Sequence, residues 1–193
     1  VSIADEVLIL HSPTEKQLSA YLEQNTLPAA AELVLSANLA FGASVQEEEI
    51  PCFGISSVEK KDFAAWRELG RVCKLFVRAE RHEGRISAFV CPTLFPSAAP
   101  EAHTDGTGNL ATLYAARFGR QSFSGAGAGG YPTGSSVLRD CLDIADGCRS
   151  FYADSFVPRP VNLSGMQGKW LFRCMGETFV RECSAREAFN AYD

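Results

Sequence analysis

The residues best suited to meet a small ligand lie in one stretch, Phe123 to Asp143, which reads FSGAGAGGYPTGSSVLRDCLD. Its glycines, Gly125, Gly127, Gly129 and Gly130, let the backbone take positive φ and bring its N–H groups against a ligand that bulkier residues would hold off. A helix is predicted to start at Pro132, whose missing N–H costs nothing in a first turn, and Thr133, Ser135 and Ser136 can accept from the free N–H groups there. Val137, Leu138, Cys141, Leu142, Ile144 and Ala145 then recur at helical spacing and predict a buried stripe, with Gly147 where a helix commonly ends. A glycine loop feeding a helix N-terminus is a site for an anion or phosphate.

Gly125, Gly127 and Gly130 also satisfy the dinucleotide pattern G-x-G-x-x-G. That pattern needs a buried apolar strand before it and its third glycine inside the first helical turn. Here the lead-in is FGRQSFS, and Pro132 is expected to delay the helix, so the match does not by itself predict a dinucleotide-binding fold.

Other chemistries are poorly served. His11, His82 and His103 are far apart and fall in no H-x-x-x-H pattern, and no metal site is expected. The seven cysteines are odd in number and form no C-x-x-C pair, which predicts reduced, mostly buried thiols in a reducing compartment. The net charge is −5 and no Lys/Arg run gathers, which argues against nucleic acid or an anionic membrane surface as partner. With 46% hydrophobic and 21% charged residues and no apolar run of membrane-spanning length, the chain reads as a cytoplasmic globular protein.

Several elements must position the loop. VLIL, ending at Leu10, predicts a strand, and Ser12-Pro13-Thr14-Glu15 opens a helix with Leu18, Tyr21 and Leu22 on its buried face, a solitary βα unit. Leu27-Pro28 opens a second helix that Gly42 stops, and Ser56 with Glu59 forms a capping box for a third, with Phe63, Trp66 and Leu69 as its core stripe. Glu47, Glu48 and Glu49 read as a solvated edge. Val72 to Glu80 and ISAFVCPTL are strands of a hairpin turned at His82-Glu83-Gly84. Leu110 to Phe118 and Gln121 to Phe123 flank a turn at Gly119, Lys169 to Val180 gives one last strand, and Ser184 to Tyr192 a closing helix. Neighbouring strands with short turns, flanked by helices, predict an α+β fold: a mostly antiparallel open sheet with helices packed on one face.

Four segments resemble the homoserine dehydrogenase family. GAGAGGYPTGSSVLRDCLDIA is similar to its Gly-Ala-Gly-Gly loop and following helix, ELGRVCKLFVRAER to its Glu-Leu-Gly and Lys-Leu strand, VCPTLFPSAAP to its Pro-Thr-Leu-x-Pro segment, and HTDGTGN to its Asp-Gly-x-x-Asn segment. The resemblance covers about Ala29 to Ala145 and implies the family's catalytic domain, standing without the nucleotide-binding domain. One domain is expected over 1–193: a βα extension at 1–26, a family-like core at 27–150 and a strand/helix extension at 151–193.

In the family, NAD(P)H reduces aspartate 4-semialdehyde to homoserine. The resemblance implies a cofactor contact at Gly127, Ala128, Gly129 and Gly130, and a homodimer or a nucleotide-binding partner subunit. A face carrying Leu75, Val77, Phe89 and Cys91 is the expected contact. The family's catalytic aspartate and lysine fall on Pro28 and Glu32, and its acidic Gly-Tyr-x-Glu motif is absent, so no catalytic residue is assigned. Glutamate brings negative charge to an oxygen that is itself becoming negative. The implied activity is therefore impaired or incomplete, the alternatives being a non-catalytic partner or regulatory subunit and a small-anion-binding module of the same fold.

Overall fold

The structure, a computed structural model, describes residues 7–11, 27–55, 58–106, 108–148, 156–174 and 177–191. The chain divides into two compact units, residues 1–97 with 153–193 and residues 98–152.

The first unit is built on β4 (Arg85–Pro96), in which every residue from Ile86 to Phe95 is buried. A strand buried on both faces needs a continuous apolar run, and ISAFVCPTLF supplies one. β4 pairs antiparallel with β3 (Arg71–His82) along its whole length. The two-residue turn between them holds Glu83 at φ 50° and Gly84 at φ 77°, the positive pair that matches the twist of a tight hairpin. On the other side β4 meets β1 (Val7–His11), which runs parallel to β8 (Gln167–Cys174), and β8 pairs antiparallel with β9 (Glu177–Ser184). The order β3-β4-β1-β8-β9 is an open sheet with one parallel pair.

Two sequence expectations are corrected here. The stretch Lys169 to Val180 is two strands rather than one, because Gly176 punctuates the run and the chain doubles back. β1, expected in a solitary βα unit, is the middle strand of the sheet, where its short apolar run is paired on both edges. The helix expected after it lies outside the described residues.

Two helices cover one face. α1 (Leu27–Phe41) sets Ala30 and Leu33 against Leu75, Val77, Ala79, Ile86, Ala88 and Val90, and ends at Gly42 with φ 60°. Buried Asn38 of α1 receives the Val45 N–H at 2.7 Å and donates to the Val45 carbonyl at 3.2 Å, which fixes the path into β2 (Ala43–Ser44). β2 pairs parallel with β7 (Val157–Pro158). α2 (Lys60–Glu68) sets Trp66 against Cys73, Leu94 and Leu171. Its cap is Glu59 with Asp62, three residues beyond the expected Ser56, which lies outside the described residues. Of the expected stripe only Trp66 is buried. Leu69 is 74% exposed, and Phe63 is half-exposed with its ring edge-on to Trp66 at 5.8 Å. The opposite face of β4 carries Phe89 and Cys91, and these pack with Trp170, Phe172 and Phe189. Phe189 belongs to a short closing helix that spans Ala185–Asn190 under a Ser184–Glu187 capping box. Leu75 and Val77 therefore lie on one face and Phe89 and Cys91 on the other, and each pair is covered by this chain's own residues. The single apolar contact face expected from the sequence does not exist.

Asp62 ties the first helical layer to the last strands. It is 4% exposed, its Oδ2 accepts from the Glu59 N–H at 2.8 Å and from Arg173 at 3.0 Å, and its Oδ1 takes the second arm of the Arg173 guanidinium. Asp62 and Trp66 stand one turn apart on the face of α2 that meets the sheet.

The second unit is the hairpin of β5 (Gly108–Ala115) and β6 (Gly119–Ala126), followed by α3 (Gly130–Ala145). The stripe predicted as buried is exposed: Val137, Leu138, Leu142 and Ile144 are each more than half accessible, and no residue of α3 is buried. A two-stranded ribbon and one helix are too little to enclose a core of their own.

Thiol placement is mixed. Cys91 and Cys183 are buried, Cys52 and Cys73 half-buried, and Cys141 and Cys148 exposed. Burial, and then Glu47, pushes the Cys52 thiol up to about 11, while burial, and then Asp62, pushes Cys73 up to about 12. Both hold almost no thiolate near neutrality. Iodoacetamide at pH 8 is expected to label Cys141 and Cys148 at least about tenfold faster than Cys52 and Cys73, as read by mass spectrometry. The reverse order would contradict this burial pattern. Asp62→Ala strands a partly buried guanidinium and is expected to cost about 3 kcal/mol in urea unfolding. A loss below about 1 kcal/mol would mean that the pair does not tie α2 to β8.

Candidate functional site

The glycine loop lies wholly in the second unit. β6 ends at Ala126, Gly127 and Ala128 carry the chain out of the hairpin, and Gly129 turns it at φ 118° into α3. A φ in that range disfavours any side chain, so Gly129 is required by conformation. Gly127 is required by contact instead. A Cβ built there would overlap Nδ2 and Cγ of Asn109 and lie 2.9 Å from its Oδ1, because the Asn109 carboxamide rests across the Gly127 backbone. Asn109 reaches this place from β5, where it stands opposite Gly125 in the ladder.

α3 begins at Gly130, two residues before the expected start. Gly130 and Tyr131 fill the first positions and Pro132 follows within the first turn, where it forfeits no helical hydrogen bond. No side chain caps the helix: the residue at the cap is Gly129, whose carbonyl takes the Thr133 N–H at 3.1 Å. Ser136, read from sequence as an acceptor, instead donates its hydroxyl to the Pro132 carbonyl at 3.2 Å, satisfying a backbone group inside the helix. The N–H groups of Gly130 and Tyr131 thus head an uncapped positive helix end. The early start also places the third glycine of G-x-G-x-x-G within the first turn, so that objection to the dinucleotide pattern falls. The other one stands: the strand leading in is exposed throughout and pairs antiparallel in a hairpin, where the pattern needs a buried parallel strand.

Beside the loop is an open cleft of about 480 Å³, lined by Pro100, His103, Thr104, Asp105, Gly108, Asn109, Leu110, Ser124 and Gly125. Its walls offer an amide, hydroxyls, an imidazole and one carboxylate, and among the described residues no lysine or arginine lines it. Arg120 is engaged with Glu101 at 3.0 Å and Arg139 with Asp143 at 3.1 Å. The sequence pointed to the loop by its glycines. Asn109 closes the family-like segment HTDGTGN, but its nearness to Gly127 depends on the register of the hairpin and was not read from the sequence.

Of the residues implied as cofactor contacts, Gly127, Ala128, Gly129 and Gly130 form one continuous surface at the head of α3. The loop suits a close ligand on two grounds: Gly125 and Gly130 have open space where a side chain would stand, and the helix head lacks a side-chain cap. The positions matched to a catalytic aspartate and lysine are elsewhere, in the first unit. Pro28 lies in the first turn of α1, and Glu32 is exposed on α1 next to buried Leu33.

Comparison with known proteins accords with the loop and the strands. The family model described as homoserine dehydrogenase matches residues 25–142, more than half of the chain. A homoserine dehydrogenase of Helicobacter pylori is 32% identical over 129 residues, which is 67% of this chain and 31% of that protein. One of Corynebacterium glutamicum is 37% identical over 122 residues, 61% of this chain and 27% of its own length. The crystal structure of a homoserine dehydrogenase from Thiobacillus denitrificans superposes with a TM-score of 0.60 at 30% identity, covering 73% of this chain and 35% of that one. The chain thus spans about a third of the length of these relatives.

The two required glycines separate by experiment. Gly127→Ala needs only that the exposed end of Asn109 swing away, so it is expected to cost under about 1 kcal/mol and to move the Asn109 side-chain amide resonances. Gly129→Ala forces a side chain into a strained φ, is expected to cost about 1–3 kcal/mol, and should speed hydrogen exchange across the first two turns of α3 by about tenfold or more. Equal exchange in the two variants would refute this assignment of roles.

Proposed function

Since the chain belongs to the homoserine dehydrogenase family, we propose that it supplies the substrate-side wall of an NAD(P)-dependent site for the interconversion of aspartate 4-semialdehyde and homoserine, with Gly127 to Gly130 touching the cofactor. The observation that carries this reading is the loop itself: a bare backbone surface that heads an uncapped helix end. A reduced nicotinamide, when bound, supplies the hydride. This chain's share is to present N–H donors at a fixed place and, through the cleft walls, to hold a small polar group beside them.

We further propose that the chain does not complete the reaction by itself. As hydride reaches the aldehyde carbon, the oxygen gains negative charge and must meet a proton or a cation. At the position where the resemblance puts a lysine stands Glu32, an exposed carboxylate that would raise the energy of that oxygen rather than lower it. A cleft of about 480 Å³ holds one end of a dinucleotide, so the rest of the cofactor needs another surface, and a nucleotide-binding chain is the partner this reading calls for. A catalytically impaired subunit working beside such a chain fits both observations.

The test is turnover. Purified chain mixed with homoserine and NAD or NADP is expected to give no rise in absorbance of the reduced cofactor. Activity that scales with protein concentration and survives repurification would show that another group does the work denied to Glu32.

A further inference from the structure

Asn109 is an exposed side chain of the second unit set against the glycine loop. Its carboxamide lies across Gly127, where any larger residue would have to push it aside. It also forms part of the cleft wall together with Gly125 and Ser124. Among the described residues its Nδ2 and Oδ1 make no hydrogen bond. One amide therefore offers donors and an acceptor side by side, held at the edge of the glycine loop.

The cleft also carries a preference. A phosphate is normally met by Lys, Arg or a cluster of N–H groups, and a carboxylate in the wall opposes it. Here Asp105 lines the cleft and, among the described residues, no lysine or arginine does. A neutral group that both donates and accepts is the better complement. A primary carboxamide is that group, because it can pair with another in a two-bond ring, N–H to O in each direction.

We propose that Asn109 recognises the carboxamide of a nicotinamide ring, so that this cleft takes the nicotinamide end of a cofactor and not a phosphate. The inference rests on the reading that the Gly127 to Gly130 loop meets a nicotinamide cofactor, and it adds which end is met and which side chain selects it. Gly127 serves the same purpose indirectly: the missing side chain is what lets the Asn109 amide lie in the cleft mouth. Asn109 stands at the start of β5, its side chain exposed, so substitutions there change the amide without removing buried packing.

The experiment titrates nicotinamide mononucleotide, nicotinic acid mononucleotide, NADPH and inorganic phosphate against the backbone amide shifts of Gly127 to Gly130. It uses the whole chain as wild type, Asn109→Asp and Asn109→Ser. In wild type the loop amides are expected to move with nicotinamide mononucleotide and NADPH. They should move much less with the nicotinic acid form, whose carboxylate cannot donate, and stay still with phosphate. Asn109→Asp loses both donors, and Asn109→Ser shortens the group without adding charge. Each should weaken nicotinamide mononucleotide by about tenfold, the usual order for a lost pair of polar contacts. The melting temperature should stay unchanged. Two outcomes overturn the inference while leaving the loop as a cofactor contact: both variants titrating like wild type, or wild type responding to phosphate as strongly as to nicotinamide mononucleotide. A wild-type loop that is silent to NADPH and to both mononucleotides overturns this inference and the proposed function together.

Discussion

The first unit depends on the fact that β4 is buried on both faces. A strand in that situation has no solvent side, so two separate layers have to be built, and the chain builds them from distant segments. α1 and α2 close one face over Val90 and Leu94, while the closing helix brings Phe189 over the other, where Phe89 and Cys91 of β4 share a cluster with Trp170 and Phe172 of β8. The last strands must therefore return to the sheet beside β1, and the buried Asp62–Arg173 pair, 111 residues apart in the chain, holds that return against the second helix. A charge pair with a buried carboxylate and a partly buried guanidinium stabilises little in itself but penalises arrangements that separate its members.

Against that framework the second unit is built differently. Its helix has no buried residue, and its hairpin exposes one strand throughout. What it fixes is local: the register that sets Asn109 opposite Gly125, the φ that only Gly129 tolerates, and the bare Gly127 backbone beneath an amide. A surface of this kind suits recognition by backbone groups, where each missing side chain opens room for a ligand.

The sequence made some of this legible and hid the rest for identifiable reasons. The β3–β4 hairpin could be read because a Glu-Gly turn, the alternating run VCKLFVRAE and the apolar run ISAFVCPTL agree. Gly42 and Gly70 mark true ends, both at positive φ. The open, mostly antiparallel sheet and the homoserine dehydrogenase resemblance were also readable, the latter because its motifs sit at loops whose glycines and prolines are dictated by geometry. What could not be read was long-range. Periodicity says that Val137, Leu138 and Leu142 share a face, but whether another layer meets that face is a tertiary fact. Alternation places Leu75 and Phe89 in strands without saying that the register sends them to opposite sides. Asp62, which accepts from the Glu59 N–H, also receives the guanidinium of Arg173, a partner no local window contains. Asn109 belongs with these cases, since its importance is a product of register.

The central claim is that a glycine loop and the amide laid across it form the nicotinamide-facing edge of a cofactor site. Intermolecular nuclear Overhauser effects between NADPH and isotope-labelled chain measure this directly. The account predicts cross-peaks from the nicotinamide ring protons to the Gly127–Gly130 amides and to the Asn109 side-chain amide, with none from the adenine protons. Cross-peaks from adenine to these groups, or none to them from either ring while NADPH is bound elsewhere on the chain, would contradict it.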